Sequence, residues 1–399
     1  MCFPSTFPSR VRACDLLLRQ FLAIGLLAES SAASDEQNEQ KLRKITLRSI
    51  RRLTEARRDL ALFQHHDAIT GTSKHKVVVD YGFRLLQALI KANKVVEETT
   101  ATDSYNQWTM IEMPQHFSEL DETLCIALPV DDNGRSDGTV LLTAFNPSTL
   151  NRAELIRILV RDARVRIHEF RPGDTRPSST PVEFQVSPAF TRGVMSPACY
   201  EIAFVSHLAP LTRTFFKLDF VGDEAENDKH RHFARLLLGG FADKTQASIL
   251  DSFDRWEAES GKFYLSTKTE HMKSVHDAAN GLLKRGRGAK AAIDKLAIDF
   301  AEYNHEGLEG AYVFDSRSDP VSWMTPQSYV AVSGPLESCS HTFSDRIYHR
   351  VCVNELSSSV HITNVVNLAG YEQTNLVMRL NTTIHDANNE FYTDNMGFQ

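Results

Sequence analysis

The sequence contains no uninterrupted apolar run of the roughly 20 residues that a helix needs to cross a bilayer. We therefore predict no transmembrane segment within these 399 residues. The chain also has no basic excess, since 44 lysines and arginines against 51 acidic residues give a formal net charge of -7. Because phosphate-binding surfaces are usually basic, this balance argues against a nucleic-acid partner.

None of the six cysteines belongs to a Cys-x-x-Cys pair, the usual signature of a structural zinc or dithiol redox site. Their spacing does not determine how they pair. A chain of 399 residues is longer than a domain with a single hydrophobic core usually is, so we expect two or three domains. A glycosylation triplet at Asn381 matters only if the protein enters the secretory pathway.

The apolar run Leu16–Leu27 follows Arg10 and Arg12 and precedes small residues, a pattern that is also typical of a signal peptide. Arg19 interrupts the run, and its apolar residues recur at helical spacing. We favour an amphipathic core helix over a signal peptide here.

The apolar pattern divides the chain near residue 100. Before it, stripes at helical spacing predict a three-helix bundle over residues 1–100. After a polar linker at 97–107, short runs with period-2 alternation predict a largely antiparallel β-sandwich region over 101–399. The predicted fold class is therefore α+β, although Phe233–Leu238 fits either a short helix or a strand.

Chemistry-bearing residues concentrate at Gln64–Ser73, where two histidines and an aspartate precede Thr-Gly at the end of a predicted helix. Imidazole and carboxylate both suit Zn²⁺. Successive helical residues point about 100° apart, so a regular helix would aim at most one of His65 and His66 at an ion. Histidines near a helix end are more often caps, surface residues or core residues than metal ligands.

The string Gln-His-His-Asp-Ala-Ile-Thr-Gly-Thr-Ser resembles the signature of the class II α-mannosidases, glycoside hydrolase family 38, and the helix before it fits the same family. Ala144–Pro147, Tyr200–Phe204 and Glu309–Phe314 resemble strands of the family's β region, and the end of the chain is similar to the Golgi-type branch. The likeness is thin between about 221 and 300.

The resemblance implies that His66 binds zinc, that Asp67 contacts mannose hydroxyls, and that His65 supports them. It also implies that Tyr312 contacts the sugar. An equally good interpretation is that Tyr312 is a half-buried aromatic side chain on a strand. Glu309 stands where the family has serine, which weakens the assignment of the family's sugar contact to Tyr312. No residue of this chain is expected to be the catalytic nucleophile or acid.

The family's remaining zinc ligands, including the nucleophilic aspartate, are implied to precede these residues. Retention needs two carboxyl groups, and a catalytic zinc takes about three protein ligands. With this incomplete ligand set for the one Zn²⁺ ion, we expect the isolated chain to be inactive and to bind zinc weakly or not at all.

Two functions remain open. The first is a fragment of a zinc-dependent retaining α-mannosidase that acts on mannose-containing N-glycans, in the Golgi lumen or membrane by resemblance. The second is a truncated, catalytically inactive relative that binds glycans or serves as a scaffold, since a fold does not guarantee a function. The intact His-His-Asp motif favours the first.

Overall fold

A computed structural model describes residues 36–69, 72–100, 125–126, 139–146, 148–170, 181–191, 194–210, 212–222, 228–240, 248–288, 292–293, 296–304, 320, 322–324, 326–367 and 374–383. No helix within these ranges is long and apolar enough to cross a membrane. The predicted helix at Leu16–Leu27 and the predicted sugar contact Tyr312 lie outside them.

The described helices are α1 (Glu36–Phe63), the short α2 (His66–Ile69) and α3 (His75–Thr100). The two long helices run antiparallel, because Lys91 Nζ lies 3.2 Å from Asp59 Oδ2 while the rings of Phe63 and Tyr81 pack 5.9 Å apart nearer the turn. The residues that pack between the two helices lie on the apolar stripe predicted from the sequence. Its buried members include Leu53, Ala56, Tyr81, Leu85, Ala88, Leu89 and Ala92.

The helical prediction is confirmed for the described part of residues 1–100, whereas the three-helix bundle stays a prediction because residues 1–35 lie outside the described ranges. Helix α3 continues to Thr100, so the first residues of the predicted linker, 97–100, are helical instead. Threonine is a weak helix former, but a helix tolerates it in its last turn. The domain division at residue 100 stays a prediction.

The remaining described residues form β-sheets, which we number I to V, with strands numbered in chain order. Sheet I contains, from edge to edge, β1 (Cys125–Ile126), β3 (Arg152–Val160), β6 (Val194–Leu208), β5 (Phe184–Thr191) and β8 (Arg231–Phe233). Sheet II contains β2 (Thr139–Phe145), β7 (Arg213–Phe220) and β4 (Val165–Phe170).

Sheet III contains β19 (His361–Val366), β18 (Ile347–Asn354), β17 (Glu337–Phe343), β16 (Ser328–Ser333) and β9 (Arg235–Gly239). Sheet IV contains β10 (Lys262–Leu265), β11 (Met272–Asp277), β12 (Leu283–Gly288) and β13 (Ala292–Ile293). Sheet V contains β15 (Ser322–Met324), β14 (Leu296–Asn304) and β20 (Thr374–Thr382). A short 3-10 helix spans Ser248–Ser252.

Pairing within these sheets is antiparallel except for β1 with β3 and β5 with β8. The largely antiparallel prediction is therefore confirmed for the described strands. The ambiguous segment Phe233–Leu238 is extended, because it forms the end of β8 and most of β9. Its leucines alternate too little to predict this, because β9, although an edge strand, buries Leu236 in one apolar cluster and Leu237 in another and so lacks a polar face.

Sheet III lies at the centre of the β region, because its residues enter each of the larger apolar clusters. One cluster combines sheets I and II with Val330 and Val332 of β16, and it contains the edge-to-face pair Phe204 and Phe216. A second joins sheets III and IV, and a third joins sheets III, IV and V. Burying alternate side chains between facing sheets is the basis of such layered packing.

The described cysteines pair as Cys125–Cys199 and Cys339–Cys352. The second disulfide joins residues that lie directly opposite each other in β17 and β18. Neither pair follows from the linear spacing, because strand register decides which cysteines meet.

Sheets I and III are connected by a buried charge cluster around Glu337, whose side chain is 4% exposed. Its carboxylate accepts hydrogen bonds from Arg157 of β3, with Nε at 3.0 Å, and from Arg350 of β18, with Nη2 at 2.8 Å. Burial raises the pKa of Glu337, but the hydrogen bond from Arg157 and the charges of Arg350 and Arg157 outweigh this, so the pKa lies below its usual value. The carboxyl group is therefore ionised at neutral pH.

The side-chain amide of Gln185 in β5 joins the same two sheets. Its oxygen accepts from the backbone N–H groups of Leu336 and Glu337, both at 3.0 Å, and its nitrogen donates to the Glu337 carbonyl at 2.9 Å. A Cβ added at Gly334 would lie 2.1 Å from the Gln185 amide oxygen, so a larger residue there would displace this amide from its hydrogen bonds. The backbone at the start of β17 is thus held by a side chain from another sheet.

We predict that Glu337→Gln lowers the free energy of unfolding of the β region by about 3 kcal/mol, because it leaves two arginines without their buried carboxylate. Urea unfolding followed by circular dichroism measures this. Glu154→Gln is the matched control, since Glu154 pairs with Arg152 at an exposed position and should change stability little. Equal effects of the two substitutions would contradict the prediction.

His276 is fully buried and stacks on Phe263 with ring centroids 5.0 Å apart. Its Nδ1 lies 3.0 Å from the Gly281 carbonyl oxygen, which only accepts, so Nδ1 carries the proton. Its Nε2 then accepts from the Ser274 hydroxyl at 3.0 Å. Burial lowers the pKa of His276 to about 4, against the opposing hydrogen bond to Gly281.

Protonation of His276 therefore opposes folding. The unfolded chain has a histidine pKa near 6.5, so it binds the extra proton first as the pH falls. The stability is fully present above that value and is lost as the pH falls from about 6.5 towards 4. Burial also lowers the pKa of His341 and of His349, which adds to the loss in the same direction.

We predict that the stability difference between the wild type and His276→Gln shrinks by about 2 kcal/mol between pH 7 and pH 5, because the unfolded wild-type chain takes up a proton at residue 276 over this range while folded His276 stays neutral. Urea titrations at both pH values measure it. The exposed His271 provides the control His271→Gln, which should leave the pH dependence unchanged. A pH-independent difference for His276→Gln would refute the assignment.

Candidate metal centre

The His-His-Asp motif lies at the corner between the two long helices. Helix α1 closes with tight turns, in which the backbone N–H groups of Gln64 and His65 donate to Ala61 and Leu62 at 3.1 Å. Helix α2 begins at His66, and α3 begins at His75. The sequence-based placement of the motif at a helix-to-helix corner is confirmed.

The turn brings both imidazoles to one carboxylate. Nε2 of His65 lies 3.4 Å and Nε2 of His66 3.6 Å from Oδ2 of Asp67. The two rings pack against each other with centroids 4.2 Å apart. A regular helix through both residues would point these rings about 100° apart, but the chain leaves α1 before His66, so both can approach Asp67.

Exposure distinguishes the two histidines. The side chain of His66 is 82% exposed, whereas those of His65 and Asp67 are 42% and 35% exposed. His66 therefore presents its imidazole outward from the corner, and His65 lies closer to the protein surface beside it. Further ligands of an ion could reach His66 from the solvent side.

Hydroxyl groups from the following loop hold Asp67. Thr72 Oγ1 donates to Asp67 Oδ1 at 2.8 Å, and Ser73 Oγ donates to the Asp67 carbonyl oxygen at 2.7 Å. The hydrogen bond from Thr72 lowers the pKa of Asp67 most, burial opposes it, and the charges of His66 and His65 lower it further. Asp67 is therefore an ionised carboxylate with Oδ1 occupied and Oδ2 facing the histidines.

The distances between the side-chain nitrogen and oxygen atoms of this motif fit a zinc ion. Two ligands of one tetrahedral zinc, each about 2.0–2.2 Å from the metal, lie about 3.3 Å from each other. The distances of 3.4 and 3.6 Å from Asp67 Oδ2 to the two Nε2 atoms are close to that spacing. All three residues offer ligand atoms that lie within 4.8 Å of one another. The nitrogen and oxygen donor set is one that zinc accepts.

A second group of possible ligands among the described residues comprises Glu337, Cys339 and Cys352. The two cysteines form a disulfide, and Glu337 is bound by two arginines. Because metal ligation requires thiolates, this cluster is structural and holds no ion in its oxidised form.

The sequence identified His66 and Asp67 but assigned no role to Thr72 and Ser73. Both belong to the motif and carry hydroxyl groups, which favour local hydrogen bonds to the backbone and to nearby carboxylates. Their chemistry was visible in the sequence, whereas their partners depend on the fold of the loop.

Comparison with known proteins finds relatives that match most of the chain. Residues 13–102 match the model of the α-mannosidase middle domain. Over 87% of its length the chain is 29% identical to α-mannosidase 2 of Homo sapiens and 27% identical to α-mannosidase 2 of Mus musculus. The chain is therefore similar to α-mannosidases over most of its length.

Further relatives match different shares of the chain. α-Mannosidase 2 of Drosophila melanogaster is 25% identical over 87% of the chain, and that of Arabidopsis thaliana is 35% identical over 29% of it. The chain spans 30% of the length of the human and mouse relatives. The matched middle domain includes the corner that carries the His-His-Asp motif.

We predict that Thr72→Ala raises the pKa of Asp67, because it removes the hydrogen bond that most stabilises the ionised carboxylate. A pH titration of the Asp67 carboxyl carbon by NMR measures the change. Ser73→Ala is the matched control, since Ser73 contacts the backbone carbonyl of Asp67 rather than its carboxylate. The same rise in both variants would contradict the role given to Thr72.

Proposed function

We propose that these residues form part of a zinc-dependent retaining α-mannosidase, to which they contribute one zinc ligand and one sugar-binding carboxylate. The observation that carries this proposal is the exposed imidazole of His66 beside the ionised carboxylate of Asp67, with His66 Nε2 3.6 Å from Asp67 Oδ2. Similarity to known proteins supports it, because the relatives matched over most of the chain are α-mannosidases.

In this proposal His66 holds the ion through Nε2, and Asp67 accepts hydrogen bonds from mannose hydroxyls. When bound, zinc would act as a Lewis acid that coordinates sugar oxygens. His65 packs on the ring of His66 and limits its rotation. Thr72 keeps Asp67 ionised and fixes the plane of its carboxylate, so that an oxygen faces the histidines.

We assign neither the nucleophile nor the general acid to the described residues. Retaining glycosidases place two carboxyl groups about 5–5.5 Å apart on either side of the scissile bond. Asp67 is the carboxylate of this corner, and one group bound to the sugar hydroxyls cannot fill both roles. The 399 residues alone are therefore expected to be inactive.

The proposed substrates are the α-mannosyl linkages of N-glycans, and the proposed compartment is the Golgi lumen or membrane. Both rest on the resemblance to the Golgi-type branch. Tyr312 remains a proposed further contact to the sugar.

The test uses the longest polypeptide that the natural message encodes around residues 1–399. We predict that it hydrolyses an aryl α-mannoside with zinc dependence and releases α-mannose first, as NMR of the fresh product would show. His66→Ala should lower kcat/KM by about 100-fold or more, because it removes a metal ligand. The 399 residues alone should show no turnover.

His271→Ala is the control, because this histidine is exposed and lies in the β region far along the sequence. It should leave kcat/KM unchanged. Activity that persists without zinc, or in His66→Ala, would contradict the proposed role of His66. Glycan binding without turnover in the natural product would instead support an inactive, glycan-binding relative.

A further inference from the structure

Sheet IV has one buried face and one open face. In β10 Phe263 and Leu265 are buried, whereas Lys262 and Tyr264 point outward. In β11 the residues that alternate with the buried Met272, Ser274 and His276 are Lys273, Val275 and Asp277. Since successive strand residues point to opposite faces, these outward side chains share one surface.

A β-bulge adds charge to this surface. Val275 pairs with Arg285 and His276 pairs with Leu283, so Lys284 is an extra residue in β12. Bulges commonly redirect side chains in this way. As a result both Lys284 and Arg285 are exposed, and Arg287 is exposed two residues further on.

An aromatic ring positions two of the cations. Lys262 Nζ lies 5.5 Å and Lys273 Nζ 5.4 Å from the centroid of the Tyr264 ring. Cations are attracted to the face of an aromatic ring at such distances. The two ammonium groups are therefore gathered around one side chain instead of extending separately into solvent.

The surface carries little negative charge to balance these groups. Asp277 is already engaged, because its Oδ2 lies 3.2 Å from Lys284 Nζ and its Oδ1 accepts from the Ala279 N–H at 2.8 Å. Within the described ranges, no carboxylate pairs with Arg285 or Arg287. This cationic face contrasts with the formal net charge of -7 for the whole chain.

Strand register makes this arrangement costly for the fold. Lys273 and Arg287 lie directly opposite each other in β11 and β12. Like charges opposite each other on one face of a sheet destabilise it. Removing the charge of Arg287 would relieve this repulsion, so the fold itself does not require both cations, whereas an anionic ligand would use them.

The same face contains a cavity of about 300 Å³. Its lining includes Gly261, Lys262, Tyr264, Val275, Asp277 and Arg285. Ligand pockets begin at about this size, which suits a single small molecule. Gly261 has φ of 74° and no atom near its missing Cβ, so the turn before β10 leaves the entrance open.

We propose that the open face of sheet IV binds a tetrahedral oxyanion, a phosphate group that is either free or part of an ester. Arg285 and Arg287 supply planar guanidinium groups that hydrogen-bond such an anion in bidentate fashion. Lys262 and Lys273, gathered at Tyr264, supply the remaining positive charge. The site is separate from the His-His-Asp corner and does not depend on mannosidase activity.

The test titrates the 399-residue chain with inorganic phosphate and with glucose 6-phosphate by calorimetry, at constant ionic strength in chloride. We expect binding of at least one of them, and Arg285→Gln/Arg287→Gln should weaken it by about tenfold or more. The control Arg43→Gln/Lys44→Gln removes the same charge from exposed positions of α1 and should keep the affinity. Tighter binding of the sugar phosphate identifies an ester as the ligand, and equal binding identifies the free ion.

The melting temperature shows whether the variants fold. Removal of Arg287 relieves repulsion with Lys273, so the double variant should melt no lower than the wild type in the absence of ligand. Failure of the wild type to bind either ligand would overturn the proposal. Equal weakening in both double variants would also overturn it, because general charge rather than this face would then explain the binding.

Discussion

The β region depends on the buried carboxylate of Glu337, which connects sheet I to the central sheet III. Arg157 reaches it from sheet I and Arg350 from sheet III, while the amide of Gln185 holds the adjoining backbone. Removing charges from water is costly, so such a cluster is stable only when every member is paired. The cluster therefore fixes the position of sheet I relative to the central sheet III.

The same cluster affects its neighbours. Arg350 also lies 3.7 Å from Glu201 and donates to Cys352 Sγ at 3.0 Å. Burial raises the pKa of Glu201, Arg350 opposes this, and the nearby charge of Glu337 adds to the rise. Two carboxylates and two arginines thus share one partly buried volume, beside a disulfide that joins β17 and β18.

The helical corner is stabilised by local contacts instead of a buried charge cluster. The groups of its His-His-Asp motif are exposed or half-buried rather than enclosed in a core. Short hydrogen bonds from Thr72 and Ser73 position Asp67, and ring packing positions His66. The proposed metal centre is thus organised locally, within one short stretch of chain, whereas the oxyanion face of sheet IV needs three strands in register.

The sequence by itself determined the two helical stripes, the largely antiparallel β character of the region after residue 100 and the residues of the His-His-Asp motif. These signals are local, because apolar periodicity and a contiguous motif lie within a few turns of chain. Only the tertiary structure decided that His65 and His66 both approach Asp67, since that depends on where α1 breaks. It also decided the pairing of the cysteines, the Glu337 cluster and the bulge at Lys284. Each of these joins residues through strand register or sheet packing, and a linear pattern carries no information about register.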